Sequence, residues 1–228
     1  MTPTKHRIVS LSHWLEECTH LYVQLIRNPE GIGFPDKQVP ETIVGCVKQP
    51  VRICDLERFL FEHTVENIWR SWEVFSDESC LNIVSYAPLF LDIDNEDRNL
   101  EDAYNLTRSC LDFLETQAQY QALDRLRVIF SGMKGFHIEA RPAEPVDNEF
   151  FRTTVLSGLE KAGLQHLDSK NSFQNGVIDP GHDFIRVTGS YYSWKEGTVV
   201  KRRKVIQLMP EEFRQLQIQD IVAKSEAT

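Results

Sequence analysis

Cysteine is scarce and scattered in this 228-residue chain: Cys18, Cys46, Cys54, Cys80 and Cys110 are odd in number and never form a C-x-x-C pair. That argues against a disulfide framework and against a zinc knuckle. Long apolar runs are missing as well, since no window approaches the roughly 18 residues of a spanning helix. The opening MTPTKHRIVSLSHWLEECTH has basic residues but no apolar stretch of signal-peptide length. The expectation is a chain with no membrane partner and a cytoplasmic address. Repeats and low-complexity tracts are also lacking. An overall excess of positive charge is absent too: 25 Lys and Arg face 34 Asp and Glu, a net charge of −9. Sequence-blind nucleic-acid binding through a uniformly basic surface is thereby disfavoured, although a local basic track is not. Between residues 183 and 204, Arg186, Lys195, Lys201, Arg202, Arg203 and Lys204 oppose only Asp183 and Glu196. That cluster reads either as a phosphate track or as a solvated strand edge defended by lysines.

What is present is a globular composition, 41% hydrophobic and 26% charged, in a chain long enough for two interlocked lobes. The one Pro/Gly-rich stretch, RNPEGIGFPDKQVPETIVG at 27–45, reads as a long loop or hairpin region. Before it, Trp14, Leu15, Cys18, Leu21, Tyr22 and Leu25 recur at helical spacing behind Ser12, predicting a helix. CDLERFLFEHTVENIWRSW predicts a second, with Trp69 and Trp72 as core residues on it.

From residue 88 the pattern sharpens. PLFLDID alternates as a strand, with Leu89, Leu91 and Ile93 on one side and Phe90, Asp92 and Asp94 on the other. A helix follows through Leu100, Ala103, Thr107, Cys110, Leu111 and Leu114, with Asn99 available as cap. LRVIFS, a tight GMKG and FHIEA read as two strands around a glycine turn. A helix from about Asn148 to Ala162, stopped by Gly163, and a short strand in NGVIDPG complete the order β-α-β-β-α-β. That order is the split arrangement of ferredoxin-like and RNA-recognition-like sheets, with helices on one face and the other face open. Parity then sends Leu126, Val128, Phe130, Phe136, Ile138, Ala140 and Ile178 to the covered face. The open face receives Phe90, Asp92, Asp94, Arg127, Ser131, His137, Glu139 and Asp179.

Carboxylates brought together by neighbouring strands repel and lose hydration unless a cation neutralises them. All-oxygen ligation by Asp92, Asp94 and Asp179 suits Mg²⁺ or Mn²⁺, two of which can serve an in-line phosphoryl displacement. A lone D-x-D is weak evidence. SGMKGFH adds Ser131, Lys134 and His137 on a turn that presents backbone N–H groups, chemistry suited to a triphosphate. Alone, it also reads as an ordinary glycine hairpin.

Taken jointly, FLDID, then FSGMKGFHI about forty residues later, then VIDPGHDFIRVTGSYYSWKEG resemble the three-motif signature of the archaeo-eukaryotic primase superfamily, the primase-polymerases. The resemblance covers roughly residues 88–205. It implies an α/β (α+β), two-lobed core: an N-terminal lobe over residues 1–85 packed on an RNA-recognition-like catalytic lobe over 86–228. It implies metal ligation by Asp92, Asp94 and Asp179, with Asp183 the alternative third ligand, and phosphate contacts from Ser131, Lys134, His137 and Arg186. Ser190 and Lys195 fit the tail of the third motif more loosely. Tyr191 and Tyr192 stand where relatives often carry a histidine, suggesting stacking on a base or sugar. Arg52 and Arg58 are the N-terminal candidates for lining the cleft. The implied activity is DNA primase-polymerase, template-directed nucleotidyl transfer to a 3′-hydroxyl by two divalent ions. Its partners would be nucleoside triphosphates, a DNA template and primer, and a helicase or accessory module. The rivals are a metal-dependent nuclease or phosphohydrolase and a non-catalytic RNA-recognition-like binding module.

Overall fold

The computed structural model describes residues 20–28, 46–63, 66–71, 74–82, 89–94, 99–116, 123–133, 135–142, 157–164, 184–196 and 198–226. In chain order its elements are β1 (Tyr22–Asn28), β2 (Val47–Arg52), α1 (Leu56–Glu62), β3 (Asn67–Ser71), β4 (Leu89–Asp94) and α2 (Leu100–Thr116). There follow β5 (Leu123–Phe130), β6 (Gly135–Pro142), α3 (Ser157–Lys161), β7 (Phe184–Arg186), β8 (Tyr191–Glu196), β9 (Val199–Lys204), β10 (Ile206–Leu208), α4 (Pro210–Gln215) and α5 (Ile218–Glu226). The fold class is α+β, built on small antiparallel sheets. No helix among the described residues is long and apolar enough to cross a membrane.

The first sheet has the order β2-β1-β3-β7, every neighbour antiparallel. Its core gathers Val23 and Leu25 from β1, Val51 from β2 and Ile68 from β3 under Leu56, Phe59 and Leu60 of α1. Two expectations fail here. The helix expected around residues 12–25 is a strand from Tyr22 onward; residues 1–19 lie outside those described. Leu21 and Leu25 satisfy a period of two as well as one of 3.6, and Val23 between them is also buried. Pairing on both flanks decided for the strand. The second expected helix ends at Glu62, and Asn67–Ser71 becomes β3, buried at every position because β1 and β7 flank it. Trp69 is buried as expected, but on a strand; Trp72 lies outside the described residues. The Pro/Gly-rich stretch does join a hairpin, since β1 and β2 pair antiparallel from Tyr22↔Arg52 to Arg27↔Val47. The fourth strand, β7, comes from well beyond residue 85 and pairs with β3.

The second sheet has the order β10-β5-β6-β4. Within it β4 lies beside β6, and β5 lies on the other flank of β6, as the split arrangement requires for its first three strands. The strand expected in NGVIDPG lies outside the described residues, as does the stretch 148–156 of the expected helix; α3 covers only its end. Gly163, at φ +76, takes the left-handed position after α3, and its N–H donates to the Glu160 carbonyl. β10 is an addition, pairing Ile206–Leu208 against Val128–Phe130.

Parity holds on the covered face. Leu91, Ile93, Val128, Phe130, Phe136 and Ile138 share one core with Ala103, Cys110, Leu111 and Leu114 of α2. Asn99 caps α2, its Oδ1 accepting the Glu101 N–H at 3.2 Å. Phe213 of α4 packs against Tyr104 and Phe136, with ring centroids 4.8 and 5.3 Å away. The Tyr104 hydroxyl donates to the Leu216 carbonyl at 2.8 Å. Burying rings such as Phe130, Phe136 and Phe213 contributes about 1.5–3 kcal/mol each. The C-terminal helices therefore hold the helical face of this sheet and leave the carboxylate face to other contacts.

Candidate active site

The register of β4 on β6 places Asp92 opposite His137, Phe90 opposite Glu139 and Asp94 opposite Gly135. Because Leu91 and Ile93 turn into the core, Asp92 turns away from it, beside His137. His137 Nε2 lies 3.3 Å from Asp92 Oδ1; the histidine side chain is 8% exposed and the aspartate 33%. Asp92 Oδ1 is itself buried and accepts no hydrogen bond, so the contact is a close approach with poor hydrogen-bond alignment. The carboxylate thus reaches solvent on one side and touches imidazole on the other.

This face is not open where the alternation expected it to be. His137, Glu139 and Ile129 are 6%, 3% and 1% exposed. Arg70 of β3 donates from Nη2 to Glu139 Oε1 at 2.9 Å, bringing the first sheet against the second at this point. A second Arg70 donor, Nη1, reaches the Ser71 carbonyl at 3.1 Å. Burial pulls the Arg70 guanidinium below its usual range, and Glu139 works against that shift. Glu139 Oε2 is buried without a hydrogen-bond partner. Glu139 is therefore held by arginine.

The glycine turn between β5 and β6 is shaped from two directions. Ser131 donates both its N–H and its hydroxyl to the Gly135 carbonyl, at 3.1 and 2.9 Å. Gly132 has φ +99, and a Cβ there would lie 2.7 Å from Tyr192 Cβ. Only glycine fits a left-handed position under so close an approach. The hairpin β8–β9 thus lies on the turn, and the Ser131 hydroxyl donates within it. Lys134 lies outside the described residues.

Arg186 on β7 is a second cation held in place near this region. Its guanidinium carbon lies 4.6 Å from the ring centroid of Trp69 and 4.6 Å from that of Tyr192. Arg186 Nη1 also donates to Asn67 Oδ1 at 3.1 Å, an oxygen that accepts the Ser193 N–H as well, at 3.1 Å. The Ser190 hydroxyl donates to the Val187 carbonyl at 2.6 Å, which makes it a turn residue. Reading residues 54–72 as one helix concealed Asn67, Trp69 and Arg70 as partners of this region. NIWRS, buried at all five positions, offers no alternation that would have revealed them.

Arg52 and Arg58 are not brought here. They line a shallow groove with Tyr22, Gln49, Asp55 and Glu62, beside the edge strand β2 and two strands removed from β3. There Arg52 Nη2 donates to the Tyr22 hydroxyl at 3.0 Å, and Arg58 pairs with Asp55 at 3.1 Å.

Among the described residues no three His, Cys, Asp or Glu side chains converge as a metal group. Only the strand position of Asp94 is described, and Asp179 and Asp183 lie outside. What is described fits a hard cation in one respect: Asp92 has a buried oxygen with no hydrogen bond, and Asp94 follows two positions along the same strand. No protein-family model matches the chain, and no curated protein matches it.

Proposed function

We propose that the chain is a template-directed nucleotidyltransferase, a DNA primase-polymerase of the archaeo-eukaryotic primase type. It would extend a 3′-hydroxyl from NTPs or dNTPs, with the first sheet as N-terminal lobe and the second as catalytic lobe. The observation that carries this reading is Asp92: a part-exposed carboxylate with one buried oxygen lacking a hydrogen bond, set 3.3 Å from His137 on the neighbouring strand. A solvated surface aspartate would have no reason to keep an oxygen buried in that state.

Asp92 and Asp94, joined by Asp179, would hold Mg²⁺ or Mn²⁺, which when bound neutralises polyphosphate charge and acidifies the attacking hydroxyl. His137 backs Asp92 and limits its rotation, so the carboxylate is aimed before substrate arrives. Arg186, held between two rings, presents its fork of donors without paying the full entropy of ordering a free arginine. In this reading it faces phosphate oxygens together with Lys134 and the backbone of the Ser131 turn. A DNA template and primer supply the polymer partners, and a helicase or accessory module acts alongside.

The test is a primed template incubated with nucleotides and Mn²⁺. Ladder growth, lost in Asp92→Ala/Asp94→Ala with an unchanged far-UV circular dichroism melt, is the expected result. Shortening of the primer would assign the carboxylates to hydrolysis, as in a nuclease or phosphohydrolase. Oligonucleotide binding that ignores metal and nucleotide, with neither growth nor shortening, would leave a binding module.

A further inference from the structure

The hairpin β8–β9 does more than cover the glycine turn. Tyr192 and Trp194 alternate on β8, facing Arg203 and Lys201 across the ladder. Directly paired residues of an antiparallel ribbon share a face, so one side carries Tyr192, Trp194, Arg203 and Lys201 together. The rings lie 6.0 Å apart, and the Arg203 guanidinium carbon sits 5.2 Å from the Trp194 centroid. At the other end Tyr192 stacks on Arg186, itself stacked on Trp69. The result is a continuous run of Trp69, Arg186, Tyr192, Trp194 and Arg203, in which cations and π-faces adjoin.

All but Trp69 in that run are partly exposed, and β9 is exposed from Val199 to Arg202. Two of the cations have acidic neighbours: Lys201 pairs with Glu196, and Arg203 pairs with Glu226 at 2.8 Å. Arg202 and Lys204 stand opposite Ser193 and Tyr191 and so belong to the ribbon's other face. A protein of net charge −9 thus concentrates cations and stacking rings on one ribbon. A strand edge defended only against aggregation needs lysines and has no need of a row of rings.

We infer that this ribbon is a binding track for single-stranded nucleic acid, with bases stacking on Tyr192 and Trp194 and phosphates meeting Lys201 and Arg203 on the same face. The choice of polymer rests on the nucleotidyl-transfer reading above. Aromatic platforms beside cations are how single strands are held without sequence preference. An anionic lipid surface would use the cations and leave the ring order without a purpose.

The test follows tryptophan fluorescence of the full chain during titration with a 20-nucleotide oligo-dT, without metal or nucleotide, across a salt series. Binding with quenching is expected. Lys201→Gln/Arg203→Gln should lower the slope of log affinity against log salt by about 0.7 per removed phosphate contact. Trp194→Phe should lose most of the quench, and Trp194→Ala should weaken binding about fivefold or more. An unchanged salt slope in the double variant, or a quench retained by Trp194→Phe, overturns the track. So does binding to phosphatidylserine vesicles in place of the oligonucleotide. Oligonucleotide binding without any primer extension removes the transfer reading alone, whereas extension with an unchanged slope removes the track alone.

Discussion

Arg70 Nη2 and Glu139 Oε1 lie 2.9 Å apart in a buried pair that joins β3 of one sheet to β6 of the other, each side chain no more than 4% exposed. Neither charge is tolerable alone there, because breaking a buried pair strands the surviving ion. Arg70→Met should therefore destabilise the protein by about 3–5 kcal/mol. Adding Glu139→Leu should recover most of that loss, as read from urea denaturation midpoints. Equal destabilisation by the single and double variants would show that the pair has no coupling.

Gly132 faces two constraints at once, its φ of +99 and the approach of Tyr192. Gly132→Ala should cost on the order of 2 kcal/mol and lift β8–β9 from the turn. Thermal melts give the first quantity. Tyr192 ring shifts by NMR give the second, and a variant as stable as the parent would contradict the close approach.

Arg186→Lys keeps the charge and loses the planar stack and the fork. On the nucleotidyl-transfer reading, KM for nucleotide should rise about tenfold while stability falls by about 1 kcal/mol. An unchanged KM with lowered stability would make Arg186 a structural staple between Trp69 and Tyr192.

Asp77 offers a pH signature apart from the site. The Ser79 hydroxyl first, then the Asn82 amide at 2.8 Å, hold its carboxyl down to about 2, against an ordinary 3.8. A depressed folded value means the ionised loop contributes stability above pH 4, and that contribution is lost as pH falls toward 2. An NMR titration of the Asp77 carboxyl should show a midpoint near 2. A midpoint at the ordinary value would mean the Ser79 and Asn82 contacts do not hold in solution.

The second sheet was legible because its core-facing positions are apolar at a period of two, although the other face is also covered around His137 and Glu139. Leu91, Ile93, Val128, Phe130, Phe136 and Ile138 recur at a period of two, and parity put Asp92 and His137 on one face, where the register sets them opposite each other. The first sheet was not legible, and Asn67–Ser71 shows why. A strand flanked on both sides and buried at all five positions carries no simple alternation of polarity, so NIWRS could be read as the end of a helix. Leu21 and Leu25 were ambiguous for the complementary reason, since spacing of four fits both periods. The cost fell on the site: Arg70, Asn67 and Trp69 went unnoticed as partners of Glu139 and Arg186.

By itself the sequence determined which side chains of β4, β5 and β6 face the core and which turn away, since a period of two in an amphipathic strand admits one assignment. It determined the positions of the glycine turn and of α2 for similar local reasons. Only the tertiary structure decided that β7 completes the first sheet, that Arg70 closes over Glu139, and that Trp69 and Tyr192 clasp Arg186. Apart from Tyr192 on Arg186, which are near in sequence, those contacts join residues roughly 70 to 120 positions apart. They arise from desolvation and charge pairing between elements, which no local pattern encodes.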